Sequence, residues 1–320
     1  MTGKIYVHTI GNSIIDNLPY LLNEGTPIEE AKNNSVEGQL QTQLDELDSS
    51  QEKKYEVVSH AYAGFNVASV LVGDTIGKKI LPGRVSNDYA RAKVIDTDFV
   101  KPLEILKAKI SESPQAKHFV VIGFSHHVEP HYLEIVDRVK RMGGKPILII
   151  PNLSPATSPI YTKVGIIGGF IALVSAVCLA YLARFVMHIV MNKVNLHSRS
   201  TIFAIIAVLI ILVQLPITYR IAQGQHPGMA MAKIAVQRLS KPILAYAKKD
   251  KLTMIDLPNT FDPYQTELYC SSGAFSKQGG ALIAKAICHA IARDESNDSS
   301  YIYTDKGRSI NNPREWYIEA

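Results

Sequence analysis

The sequence predicts an α/β fold with a mainly parallel sheet, interrupted in mid-chain by two membrane-spanning helices. Short strand-like segments alternate with helical stretches on both sides of the chain's centre, which predicts the sheet. Two long apolar runs without a charged residue separate the two halves, which predicts the interruption. Because strands from both halves would belong to one sheet, the two halves should share one compartment.

Five segments predict strands because they are rich in β-branched and aromatic residues or form short apolar runs. They are residues 4–10, 55–61, 118–123, 145–150 and 252–257. Helices are expected in parts of 21–53 and 67–117, and over 102–111, 129–142, 228–249 and 276–293. The connection 258–273 is interpreted as a loop.

The apolar run over residues 164–183 has 20 positions and no charge. As a helix it would span about 30 Å, the thickness of a bilayer's hydrocarbon core. A second uncharged run, 202–219, is interrupted only by Gln214 and Pro216. Core helices rarely lack a polar face over such lengths, so a transmembrane hairpin is favoured over a pair of buried core helices.

Residues 164–220 supply most of the net charge of +5, because they hold four cations and no acid: Arg184, Lys193, Arg199 and Arg220. Cations beside apolar helices meet lipid headgroups, so membrane lipid is the expected partner and nucleic acid is not. The first residues have no long apolar core, so no secretory signal is predicted. We expect a two-pass protein with both halves in the cytoplasm, although the positive segment between the runs weakly favours the opposite orientation.

The segment after the first strand, residues 11–17, reads GNSIIDN. It resembles the first block of the SGNH/GDSL hydrolases, G-D-S-x-x-D-N. Gly64 after the second strand, residues 123–126 after the third and SKQGG at 276–280 agree with that family's later blocks in order and spacing. The resemblance covers about 1–151 and 228–293, and it implies a three-layer, flavodoxin-like sheet.

Together these observations divide the chain into four parts. Residues 1–160 and 223–293 would form one SGNH-like domain, 161–222 the inserted hairpin, and 294–320 a polar tail.

The resemblance also implies roles for individual residues. In that family the first-block serine is the nucleophile, and its own N–H, the second-block glycine and a third-block asparagine form the oxyanion hole. Ser13 and Gly64 match the first two, and Ser125 stands in the place of the asparagine. Asn12 replaces the aspartate before the nucleophile, which is one departure from the pattern.

The greater departure is at residues 271–274, which read SSGA where the family has its Asp-x-x-His block. A serine hydroxyl is a weak nucleophile without an adjacent base. His126 or His127, at the end of a central strand, could act as a relocated base, and the alternative is that both are exposed loop histidines.

Two functional hypotheses follow. The first is a membrane-anchored serine esterase or lipase that acts on an ester or lipid near a membrane surface, and the motif at Ser13 favours it. The second is an inactive binding or scaffold protein on the same fold, and the missing base block favours it. A channel or transporter is disfavoured because the apolar runs carry no intramembrane charge.

The remaining candidates are weaker. Asp256 and Asp262 could orient a base or cap a turn, and His8 is interpreted as a packed core residue. No Cys/His spacing indicates zinc, and no cofactor is expected. The three cysteines do not form a disulfide framework and suit a reducing compartment; they are Cys178, Cys270 and Cys288.

Overall fold

The structure is a computed structural model that describes most of the chain. The described residues are 3–48, 54–76, 83–93, 99–124, 131–150, 159–192, 204–212, 215, 219, 238, 240–257, 261, 265–270 and 274–295. The chain divides into two compact units, one formed by Met1–Pro155 with Leu239–Ala320 and the other by Ala156–Arg238.

The first unit contains seven described strands. They are β1 (Ile5–Gly11), β2 (Tyr55–Ala61), β3 (Asp74–Thr75), β4 (Phe99–Val100), β5 (Lys117–Gly123), β6 (Lys145–Ile150) and β7 (Thr253–Asp256). Five of them form one sheet in the order β2-β1-β5-β6-β7, and every neighbouring pair is parallel. The prediction of an α/β fold with a mainly parallel sheet is therefore confirmed.

The described helices alternate with these strands. They are α1 (Leu18–Asn23), α2 (Ile28–Asn34), α3 (Val36–Leu47), α4 (Val67–Val72), α5 (Gly83–Lys93), α6 (Pro102–Glu112), α7 (Tyr132–Arg141), α8 (Pro159–Asn192), α9 (residues 204–212), α10 (residues 240–249) and α11 (Lys277–Glu295). A short 3-10 helix, Thr266–Leu268, lies in the connection that was expected to be an irregular loop.

Apolar side chains from helices cover both faces of the sheet. On one face the core includes Val36, Leu40 and Leu44 of α3, Ile283 and Ile287 of α11, and Val7 and Val121 of the sheet. On the other it includes Leu106 and Ile110 of α6, Ile135 and Val139 of α7, and Ile10 and Val120 of the sheet. The sheet is thus the middle of three layers, and its central strand β5 is apolar on both faces, as buried parallel strands are.

The second unit contains the apolar helix α8, which has 34 residues. Within it, Gly169–Val186 has a mean hydropathy of 2.0, and only 6% of that window is buried. By length and composition it is the one helix of the described residues that could cross a membrane, and a single such helix is weak evidence. The expected second span, 202–219, is described only in part, so the described residues do not support the two-helix hairpin.

Candidate functional site

Ser13 lies in the turn that follows β1, at the carboxyl edge of the sheet. The strand order reverses beside β1, because β2 lies on one side of it and the next long strand, β5, lies on the other. In open α/β sheets, ligands bind in the crevice at such a reversal. The Ser13 side chain is buried there, with 8% of the residue exposed.

Gly11 makes this turn by bringing the end of β1 against the end of β5. Its φ is 150°, and a Cβ at this position would lie 1.7 Å from the carbonyl oxygen of Gly123. The same oxygen accepts the N–H of Asn12 at 3.2 Å. The carbonyl of Asn12 then accepts the N–H of Asp16 at 2.8 Å, so the chain turns sharply around Ser13. Only glycine fits so close an approach of two backbones.

Gly64 lies in the turn that follows the neighbouring strand β2. Its φ is 84°, and the turn closes through the N–H of Phe65, which donates to the carbonyl of Tyr62 at 3.1 Å. Tyr62 in turn donates its N–H to the carbonyl of Gly11 at 3.1 Å. This bond ties the turn of Gly64 to the end of β1, from which Ser13 follows.

Three hydrogen-bond donors in the turns after β1 and β2 have no described acceptor. Among the described residues, neither the hydroxyl nor the N–H of Ser13 has a hydrogen-bond partner, and the N–H of Gly64 has none. A free hydroxyl can attack a carbonyl, and free backbone N–H groups can polarise it, where the substrate reaches both.

A buried carboxylate, Asp16, connects the two turns. Its Oδ2 accepts the N–H of Ala63 at 2.9 Å and also the hydroxyl of Tyr89, while Lys93 Nζ lies 3.2 Å from Oδ1. Burial raises the pKa of Asp16, and the charge of Lys93 opposes that rise. Burial and the nearby carboxylate both raise the pKa of Tyr89, so its hydroxyl stays protonated and donates.

Lys93 is the cation at the centre of this buried cluster. Its Nζ donates to Glu37 Oε2 at 2.9 Å, Ser59 Oγ at 2.6 Å and the carbonyl of Ala61 at 3.2 Å. These bonds use all three of its hydrogens, which is why Asp16 Oδ1 is ion-paired but accepts no hydrogen bond. Burial opposes its charge, but Asp16 and Glu37 outweigh burial and raise the pKa of Lys93.

Asn17 links the first sequence block to the last one. Its Nδ2 donates to the carbonyl of Phe275 at 3.0 Å, and its Oδ1 accepts the N–H of Val36 at 2.9 Å. Ser276 caps α11, because its Oγ accepts the N–H of Gly279 at 3.3 Å. The two sequence blocks therefore meet in the fold.

Among the described residues, no side chain that could act as a base forms a hydrogen bond with Ser13. Ser125 and His126, the remaining candidates from the sequence, lie outside the described residues, as do His127 and Asp262. Residues 271–273 also lie outside, whereas Ala274 is fully buried. Asp256 is the last residue of β7. The convergence of these residues with Ser13 stays a prediction.

Sequence reasoning missed a chain of three buried histidines that crosses the sheet. His8 is a packed core residue, as expected, but its Nδ1 lies 3.1 Å from His60 Nε2 and its Nε2 lies 3.0 Å from His118 Nδ1. His118 Nε2 ends the chain at the carbonyl of Ser113, 2.9 Å away. Each histidine stands inside a predicted strand, so strand register was the signal that could have aligned them.

An open groove of about 500 Å³ borders the buried cluster along α3, β2 and α5. Glu37, Ser59, Tyr62 and Lys93 line part of it, and Ser13 is not among its described lining residues. Within the described part of the chain, no group of three or more His, Cys, Asp or Glu side chains could hold a metal ion.

The chain was compared with protein-family models, curated proteins and solved structures. No protein-family model matches the chain, and neither a curated protein nor a solved structure matches it.

Proposed function

We propose that the chain is a membrane-anchored ester hydrolase of the SGNH/GDSL kind, with Ser13 as its nucleophile. The observation that carries this proposal is that the hydroxyl and N–H of Ser13 and the N–H of Gly64 have no hydrogen-bond partner among the described residues, in turns that follow the neighbouring strands β1 and β2. The substrate would be an ester, including a lipid ester, at a membrane surface.

In the proposed reaction, the substrate's carbonyl oxygen accepts hydrogen bonds from the N–H groups of Ser13 and Gly64. Ser13 Oγ attacks the carbonyl carbon and passes its proton to a base, which then protonates the departing alcohol. Water hydrolyses the resulting acyl-serine and returns the proton to Ser13. We assign the base to His126, because its segment follows β5 and the end of β5 lies in register with the end of β1.

The membrane anchor is proposed from α8 and from the topology of the sheet. Large apolar side chains of α8 are exposed, among them Ile166, Phe170, Leu173 and Val177. β7 follows the apolar runs in sequence yet pairs in parallel with β6, which precedes them. If α8 crosses a membrane, the chain must therefore cross again, and the run 202–219 is the segment that supplies the second span. We place both halves in the cytoplasm.

A second candidate function has one observation in its favour. Ala274 stands where the related hydrolases have their histidine, and it is fully buried, so the last block offers no base at that position. A binding or scaffold protein that keeps the pocket without turnover would have this composition.

Hydrolysis of short-chain aryl esters by the purified protein in detergent tests the proposal. We expect Ser13→Ala to lower the rate by about three orders of magnitude or more, because the nucleophile is lost. The thermal midpoint should not fall, since the hydroxyl makes no hydrogen bond to another described residue. Ser111→Ala, on the exposed face of α6, is the control variant and should keep the wild-type rate.

His126→Ala and His127→Ala separate the base from its neighbour. Only the variant that lacks the base should lose several orders of magnitude in rate. A Ser13→Ala protein that hydrolyses the ester at the wild-type rate would disprove the proposal.

A further inference from the structure

The buried cluster of Asp16, Tyr89 and Lys93 has no part in the proposed reaction as written. All three side chains are almost completely buried. Burying charges costs free energy unless each is paired, so a cluster of this kind calls for an explanation.

We propose that Asp16 is a positioning residue that holds the oxyanion donor Gly64 in place relative to Ser13. This inference rests on the proposed function. Asp16 belongs to the turn of Ser13, three residues further along the chain, and its carboxylate accepts the N–H of Ala63 at 2.9 Å. Ala63 directly precedes Gly64, so the carboxylate joins one candidate donor to the other through a single hydrogen bond.

The contacts of Asp16 require a carboxylate. The N–H of Ala63 and the hydroxyl of Tyr89 donate to its Oδ2, and the ammonium of Lys93 is ion-paired with its Oδ1. An amide that kept its oxygen toward Ala63 and Tyr89 would turn its NH₂ group toward the ammonium of Lys93, which has no lone pair to accept it. The N–H of Ala63 also donates to the hydroxyl oxygen of Tyr89 at 3.2 Å, so Tyr89 holds both this N–H and the carboxylate that accepts it.

Lys93 anchors the carboxylate from the direction of β2. It holds the carbonyl of Ala61 and the hydroxyl of Ser59 in that strand while it pairs with Asp16. The ammonium of Lys93 therefore connects β2, which leads into the turn of Gly64, with Asp16, which ends the turn of Ser13. Oxyanion donors act by being held at the right distance before reaction, and a misplacement of about 1 Å can cost a factor of about 100 in rate.

Steady-state hydrolysis of an aryl ester by Asp16→Asn and Tyr89→Phe tests this inference. We expect Asp16→Asn to lower kcat by about 100-fold and Tyr89→Phe by about tenfold, with KM changed less than about threefold in each, because the lost contact acts on the transition state. Tyr132→Phe is the matched control. It also removes a buried hydroxyl, one that donates to the carbonyl of Ile122, and it should lower the thermal midpoint without lowering kcat.

The outcomes separate this inference from the proposed function. A wild type that shows Ser13-dependent hydrolysis, with kcat unchanged in both variants, would overturn the positioning role alone. A wild type without Ser13-dependent hydrolysis would overturn the proposed function and the role together. If Asp16→Asn fails to fold, Tyr89→Phe decides, since it keeps both charges of the buried pair.

Discussion

The direction of hydrogen bonding in the histidine chain follows from its last acceptor. The carbonyl of Ser113 can only accept, so His118 must carry its hydrogen on Nε2, and His8 and His60 must do the same in turn. The chain then ends at His60 Nδ1, a buried acceptor without a hydrogen-bond partner among the described residues. A proton added to His8 would face the N–H of His60, and one added to His60 would be buried at Nδ1 without a described acceptor, so the folded domain favours neutral His8 and His60.

We therefore expect the domain to lose stability as the pH falls below about 6.5. Burial lowers the pKa of His8 to about 3, with His60 and His118 adding to the effect, and burial lowers the pKa of His60 to about 4. Because the unfolded chain titrates near the ordinary pKa of about 6.5, it binds more protons than the folded chain between these values. The contribution of these two histidines to the free energy of unfolding is fully present above about pH 6.5. It is lost as the pH falls toward their folded-state pKa values, by about 1.4 kcal/mol per pH unit for each histidine.

Thermal midpoints of the purified protein at pH 7.5 and pH 5 measure this loss. His60→Gln should reduce the difference between the two midpoints, because it removes one of the two titrating rings. His131→Gln, at an exposed histidine, should leave the difference as in the wild type. Equal midpoints at the two pH values would rule out a neutral buried chain.

Some single residues could be identified from the sequence and others could not. Ser13 and Gly64 stand next to strand ends, so a local pattern located them at neighbouring edges of the sheet. Tyr89 is 73 residues away from Asp16, its hydrogen-bond partner, and no local pattern joins them. The buried cluster therefore depends on tertiary contacts that only the structure shows.

At the scale of elements, the contact between the ends of β1 and β5 gives a direct prediction. Gly11→Ala should lower the free energy of unfolding by more than about 2 kcal/mol, because its Cβ would meet the carbonyl of Gly123 and overpacking against backbone cannot relax. Gly25→Ala is the matched control, since Gly25 also has a positive φ, 86°, but nothing lies within 4 Å of its Cβ position.

Denaturant titration of both variants separates the clash from backbone strain. The strain common to both positions costs about 1 kcal/mol, and the excess in Gly11→Ala reports the close approach. If the two variants were equally stable, the contact between the strand ends would be looser than the structure has it.

The strands were predictable because each is a short run with strong β propensity, and β2 and β6 have the predicted bounds. The two-residue strands β3 and β4 were missed, since two residues carry no periodicity. α7 begins at Tyr132, three residues later than expected. This last difference lies at the edge of an element, where assignments shift by a residue or two and hydrogen bonds to the rest of the fold determine the boundary.

At the scale of the whole molecule, the parallel sheet was predictable because strands and helices alternate in both halves of the chain. The pairing of β6 with β7 requires the chain to return to one sheet after the residues of the second unit. Composition alone predicted two spans, and the described residues contain one helix that could serve as a span. The second span depends on residues 202–219, and it remains part of the proposal.

The central claim is that Ser13 is a nucleophile in a site that polarises a carbonyl. Treatment of the full chain in detergent with a fluorophosphonate, followed by peptide mapping, tests it most directly, because a fluorophosphonate reacts with a serine that is activated in this way. We predict one covalent adduct on Ser13, lost in Ser13→Ala and reduced in Asp16→Asn. A folded wild type that forms no adduct, or forms one at another serine, would contradict the account.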